Sequence, residues 1–126
     1  MKKIFTLALL SSIFLGFSLR LSVDEVVNAL RTGNASLISK YFDNTVDITL
    51  PDKSNSYSRS QAELVLRDFF INNSVKSFNV LHKGDNAGSQ YCIGSLSTKS
   101  GVYRTTIFMK QKGDKQVVQE LRFESQ

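Results

Sequence analysis

Four runs in the second half of the chain, at 76–83, 89–98, 102–110 and 116–124, alternate their side chains with a period of two. The breaks between them are Gly84-Asp85-Asn86-Ala87-Gly88, Ser100-Gly101 and Gly113-Asp114. Connections this short join antiparallel neighbours, because a parallel pair needs a crossover of a dozen residues or more. The half therefore reads as a four-strand antiparallel meander. Such a sheet must bury at least one face under another layer.

The first half supplies that layer. Ser22-Val-Asp-Glu25 has the form of a capping box, opening a helix that carries Val26, Val27, Ala29 and Leu30 to a stop at Gly33. Asn34 can cap a second, short helix with Leu37, Ile38, Tyr41 and Phe42 at helical spacing. The period then changes. Val46, Ile48 and Leu50 alternate with Thr45, Asp47 and Thr49 as a half-buried strand, ended by Pro51-Asp52, and 57–59 can form a short return strand. Ser60-Gln-Ala-Glu63 is a second capping-box pattern. Behind it Ala62, Val65, Leu66, Phe69 and Phe70 form one helical stripe, with Glu63 and Arg67 four apart outside it. Asn72-Asn73-Ser74 stops this third helix. Helices and strands kept in separate runs predict an α+β fold, a curved antiparallel sheet covered on one face by three helices from the N-terminal half.

With that element order, the stretch Arg31-Thr-Gly-Asn-Ala35 and the strand from Ser77-Phe78 to His82-Lys83-Gly84 make the chain resemble the nuclear-transport-factor-2-like (cystatin-like) cone superfamily. Within it, the chain is most similar to a family of small exported bacterial domains of unknown function. The resemblance spans about residues 22–124 and includes no catalytic signature. It implies a pocket between helices and sheet. Phe78, Val80 and His82 are then expected on one side of the first meander strand. Tyr91, Ile93 and Ser95 follow on the next strand, Tyr103 on the third, and Phe70 and Tyr57 at the mouth. Tyr57, Phe70, Phe78, His82, Tyr91 and Tyr103 are thus the candidate ligand-binding residues, suited to a small, mostly apolar ligand.

The N-terminus speaks to location. Lys2 and Lys3 precede an apolar run over residues 4–19, the pattern of a secretory signal, and Gly16 and Ser18 place small residues for cleavage after Ser18. An uncleaved anchor fits worse, since the run falls short of the roughly 20 residues a span needs and Arg20 follows at once. The expected division is a signal peptide at 1–18 and a domain at 19–126. It leaves a periplasmic or extracellular protein with no membrane span. Lipid attachment needs a cysteine at the cleavage point, and the sole cysteine is Cys92.

Composition removes several chemistries. One cysteine excludes a disulfide framework, and one cysteine with one histidine excludes an ordinary zinc site. No cofactor or metal is implied: glycine-rich phosphate loops, nucleophile elbows and clustered acids are all missing from the sequence. The basic excess of the second half, 8 basic against 4 acidic side chains over 76–126, gathers at Lys110, Lys112 and Lys115 around a hairpin tip. It reads as a solvated turn, with no nucleic-acid partner expected for an exported protein. Gln116-Val-Val-Gln-Glu120 has glutamate where a cystatin-type inhibitor hairpin has glycine.

Enzymes of the superfamily use a carboxylate base beside an oxyanion hole, or paired histidines. Here Asp47 alternates toward solvent and His82 stands alone. The expected role is non-enzymatic binding of a small apolar ligand or a partner protein in the cell envelope. The alternatives are an isomerase- or dehydratase-type enzyme using His82 or Asp47 as base, and a purely structural assembly module. The late strands add one expectation. Val102, Thr106 and Phe108 oppose Tyr103, Ile107 and Met109, Cys92 and Leu96 oppose Tyr91 and Ile93, and Val117, Leu121 and Phe123 are set against Val118. A sheet apolar on both faces points to a homodimer through the sheet. Cys92, within an apolar strand, is expected to be a buried thiol. The export reading predicts that N-terminal sequencing of protein from a host envelope fraction begins at or near Leu19. An intact Met1 in the membrane pellet would refute it.

Overall fold

The computed structural model describes residues 22–126, so the signal-peptide expectation at 1–18 lies outside the described residues. Helix α1 occupies 22–32, followed by α2 (Ala35–Ser39), β1 (Phe42–Leu50), β2 (Lys53–Ser58), α3 (Arg59–Asn72), β3 (Val75–Asn86), β4 (Ser89–Thr98), β5 (Gly101–Lys112) and β6 (Lys115–Ser125). The strands form one open, curved sheet in the order β2-β1-β6-β5-β4-β3. The expected cone of curved sheet under three helices forms. One pairing differs from an all-antiparallel sheet: β1 runs parallel to β6, anchored where the Val118 amide donates to the Tyr41 carbonyl at 2.6 Å.

The helices differ from expectation mainly at their ends. Ser22, the first described residue, is already helical and not a cap outside the helix. At its other end the amides of Gly33 and Asn34 return to Leu30 and Ala29 in a Schellman-type closure. Asn34 then caps α2 as expected, accepting from the Leu37 amide at 3.0 Å. Phe42 lies in β1 rather than α2, because α2 closes after five residues and the chain turns at Lys40. The cap of α3 is Ser58, not Ser60, and its hydroxyl accepts from the Gln61 amide. Glu63 serves a different purpose: it accepts from Ser39 Oγ at 2.8 Å and pairs with Arg67, tying α3 to α2. At the edge of the sheet, Lys83 pairs with Asp24 and Arg31 donates to the Phe78 carbonyl, holding α1 along β3.

The core lies between the helices and one face of the sheet. Val26 and Leu30 from α1, Ile38 from α2, and Ala62 and Leu66 from α3 meet Val46, Ile48, Cys92, Leu96, Ile107, Met109, Leu121 and Phe123. Two irregularities set which residues face it. A bulge at Leu81 lets Val80 pair with Gly94 while His82 pairs with Ile93. A second shift in β6 sets Phe108 opposite Glu120 and Met109 opposite Val118. Val118, Leu121 and Phe123 are consequently all fully buried on the helix side, correcting the expectation that they oppose one another. Beside that second shift, Asp43 accepts from Lys112 Nζ at 2.8 Å. The lysine bond, reinforced by the Asn44 amide, holds the Asp43 carboxyl below its ordinary range.

Two glycines let aromatic rings cross β3 and β4. A Cβ on Gly94 would sit 2.3 Å from Phe78 Cζ and 2.7 Å from the Asn79 carbonyl oxygen, and one on Gly84 would sit 2.0 Å from Tyr91 Cε1. The first clash involves backbone, which cannot swing aside. Gly94→Ala should therefore cost about 1–3 kcal/mol, read as a lowered denaturation midpoint. An unchanged midpoint would show that the sheet yields there freely.

Candidate functional site

The six candidate pocket residues divide between the two faces of the sheet. Phe78 is buried across Gly94, and Phe70 stands edge-on to Phe123 at 6.2 Å. Tyr57 pairs with Val46 and packs against the core, its hydroxyl accepting from Asn55 Nδ2 at 3.3 Å. Tyr103 also lies on the helix side, with its hydroxyl donating to Asn73 Oδ1 at 2.9 Å. Tyr57, Phe78 and Tyr103 share the helix-side face of the sheet, and Phe70 packs onto that side from α3. His82 and Tyr91 occupy the other, where His82 Nε2 and Tyr91 Oη lie 2.9 Å apart. The expectation that His82 shares a side with Phe78 and Val80 is thus corrected. The extra residue at Leu81 reverses the alternation after Val80.

Side chains fill the interior that the fold could have left open. Phe69 packs on Phe123 with centroids 4.6 Å apart, on Tyr103 at 5.4 Å and on Phe70 at 5.9 Å. Open clefts remain at the rim. One of about 380 Å³ lies between the β1–β2 turn and the end of α3, where Asp52, Asp68, Asn73 and Tyr103 are among its lining residues. Another of similar size lies where Val23 and Asp24 of α1 meet the β3–β4 hairpin, flanked by Asp24, Lys83 and Tyr91. Of the residues lining the first cleft, Tyr103 alone is among the six candidates. Asp52, Asp68 and Asn73 come from a turn and a helix end distant in sequence, and no local pattern signals their convergence.

The titratable candidates do not converge. Asp47 is exposed on the uncovered face, as its alternation predicts, and accepts from the Ser56 hydroxyl. His82 lies on the same face, but the sheet order separates β1 from β3 by four strand spacings, about 19 Å at 4.8 Å each. Among the described residues no three His, Cys, Asp or Glu side chains gather as metal ligands, and no helix is long and apolar enough to cross a membrane.

The uncovered face grades from polar to apolar. Toward β2 and β1 it presents Ser54, Ser56, Asp47 and Thr49, and along β6 Glu120, Arg122 and Glu124. Over β4 and β5 it presents half-buried Tyr91, Ile93 and Phe108 with exposed Val102. The doubly apolar character expected of the late strands is thus confined to β4 and β5, and β6 lacks it.

The sequence pattern of the domain of unknown function DUF4783 matches residues 23–124. A crystal structure of a DUF4783 family protein from Bacteroides uniformis is 32% identical, with a TM-score of 0.79 over 82% of this chain and 95% of that one. A second, from Bacteroides fragilis, is 31% identical, with a TM-score of 0.77 over 81% of this chain and 96% of that one. A nuclear-transport-factor-2-like protein of unknown function from Cytophaga hutchinsonii shares the fold at 12% identity, with a TM-score of 0.60 over 82% and 86% of the two chains. No curated protein matches the chain.

Cys92 is fully buried between Lys83 and Ile107 on the neighbouring strands, and burial pushes its thiol up from the ordinary value. A thiol kept protonated is a poor nucleophile. It should label slowly in the native state and quickly once denatured. Cys92→Ala should cost on the order of 1 kcal/mol through lost burial. Rapid native labelling would contradict the placement.

Proposed function

The chain belongs to the DUF4783 family, and from that premise we propose that it is an exported, non-enzymatic domain of the cell envelope that works by self-association. Its partner on this reading is a second copy, bound through the uncovered face of β4 and β5. The observation that carries the reading is the contrast between a filled interior and an apolar outer patch. The rings of Phe69, Phe70, Phe78 and Phe123 occupy the space a small apolar ligand would need. That favours a protein partner over such a ligand. Tyr91, Ile93 and Phe108 meanwhile lie half-covered on a face with no second layer.

Charge argues for a second copy. A two-fold interface sets one patch against itself, so a flanking surface of one sign would repel. The border here carries both signs, Arg104 and Arg122 with Glu120 and Glu124, and Arg122 already pairs with Glu120. The enzymatic alternative loses support because Asp47 and His82 stand about 19 Å apart along the sheet. Each also faces open solvent, where a general base gains nothing from its surroundings.

Adjacent threonines on β5 test the reading. Thr105 is fully buried under the helices, while Thr106 lies on the uncovered face between Ile93 and Arg122. Thr105→Glu should unfold the domain, since an unpaired carboxylate there has no solvent. Thr106→Glu should yield folded monomer, since only association would desolvate its charge. Light scattering and circular dichroism of both variants would report this. A monomeric wild type at tens of micromolar, roughly where a weak interface still associates, would remove the proposal, as would a Thr106→Glu protein that still dimerises.

A further inference from the structure

Hydrogen bonds impose a polarity on the cleft between the β1–β2 turn and the end of α3. Asn73 caps α3, and its Nδ2 donates to the Phe69 carbonyl at 2.9 Å. That orientation leaves Oδ1 toward Tyr103, so the Tyr103 hydroxyl must act as the donor between them. With its proton committed, the phenol oxygen can offer the cleft only lone pairs. Asp52 and Asp68 line the same space, and among the described residues neither belongs to an ion pair. The carbonyl end of a fourteen-residue helix adds partial negative charge. The lining offers one cationic side chain in return, Lys53.

The wall of the cleft is aromatic. Phe69 and Tyr103 meet edge to face at 5.4 Å, and Leu50 and Val65 extend the apolar surface. Aromatic rings attract cations held near them. A space of about 380 Å³ suits a small molecule rather than a peptide or nucleotide. We propose that this cleft binds a small organic ammonium compound. Its cation would lie among Asp52, Asp68 and the Tyr103 oxygen, and its apolar group against Phe69 and Tyr103. The site is independent of self-association, because Tyr103 is on the helix side of β5 and the proposed interface is on the other.

The test uses 2-phenylethylammonium, titrated into the purified protein while backbone amide signals of residues 68–73 and 101–104 are followed by NMR. Its neutral and anionic counterparts are 2-phenylethanol and 3-phenylpropionate. The ammonium compound should give saturable shifts in these segments and bind about tenfold more tightly than either counterpart. Asp52→Asn and Asp68→Asn should each weaken it about threefold to tenfold, and Lys53→Gln should tighten it about threefold. All three side chains are exposed, so the variants should keep the fold, which unchanged signals elsewhere would verify. Equal binding of the alcohol, preference for the carboxylate, weakening by Lys53→Gln, or no saturable shift with the ammonium compound would each overturn the proposal. None of these results depends on whether the protein dimerises.

Discussion

Phe69 and Phe70 at the end of α3 press into the curved sheet against Phe123 and Tyr103, and the character of every other surface follows from that closure. Each ring buried contributes on the order of 1.5–3 kcal/mol, with up to about 1.5 more for a well-placed aromatic pair. An open chamber in the same place would forgo those contacts in a domain whose net stability is only about 5–15 kcal/mol. A chain of this size, with aromatic side chains at these positions, therefore gains more by filling the cone than by keeping it hollow. Recognition is pushed outward, to the rim where helix meets turn and to the face the helices do not cover.

Much of the fold was legible because alternation is a local property. The four late strands lie where period two placed them: β4 has the bounds read for it, and the other three grew only by a residue or a few at their ends. Of the helix stripe, Ala62, Leu66, Phe69 and Phe70 are buried as read and Val65 is half-buried. The losses come from features that alternation cannot carry. Nothing in Asn79-Val80-Leu81-His82 announces an extra residue, since Leu81 is apolar yet 60% exposed at the bulge. The shift in β6 depends on its pairing with β5, a tertiary fact. Ser58 displaced Ser60 as the cap because β2 delivers the chain to α3 two residues earlier than the Ser60-to-Glu63 pattern suggests.

These same irregularities explain why the candidate site was only half readable. Four of the six residues chosen for a pocket do lie on the helix side of the sheet, Phe70 on α3 itself, yet they are core or packed against it. The two others, His82 and Tyr91, form a hydrogen-bonded pair on the far side. Tyr91 can reach His82 because Gly84 leaves its ring room, just as Gly94 leaves room for Phe78 on the opposite face. The bulge and the two ring-covered glycines fall within a short stretch of β3 and β4. Bulges bend a strand, and glycine lets a ring lie flat across it.

Strand β5 holds both faces to their roles. Its odd positions Tyr103, Thr105, Ile107 and Met109 point toward the helices, and its even positions Val102, Arg104, Thr106 and Phe108 point away. Side chains alternate with a period of two, so a slip of one residue would exchange the sets. Ile107 and Met109 would pass from full burial to a bare face, and Arg104 and Lys110 would enter a core with no partner for their charge. Burying one unpaired charge alone costs several kcal/mol, a large share of the stability of a small domain. The tight turns at either end of β5 and its long pairings with β4 and β6 oppose that slip from both sides. The register that keeps Phe108 and Thr106 on the outer surface is thus the one that gives the inner surface Tyr103. A single strand thereby supplies a contact face on one side and an aromatic wall for the rim cleft on the other. Neither surface can be moved to a different position on β5 without dismantling the core between them.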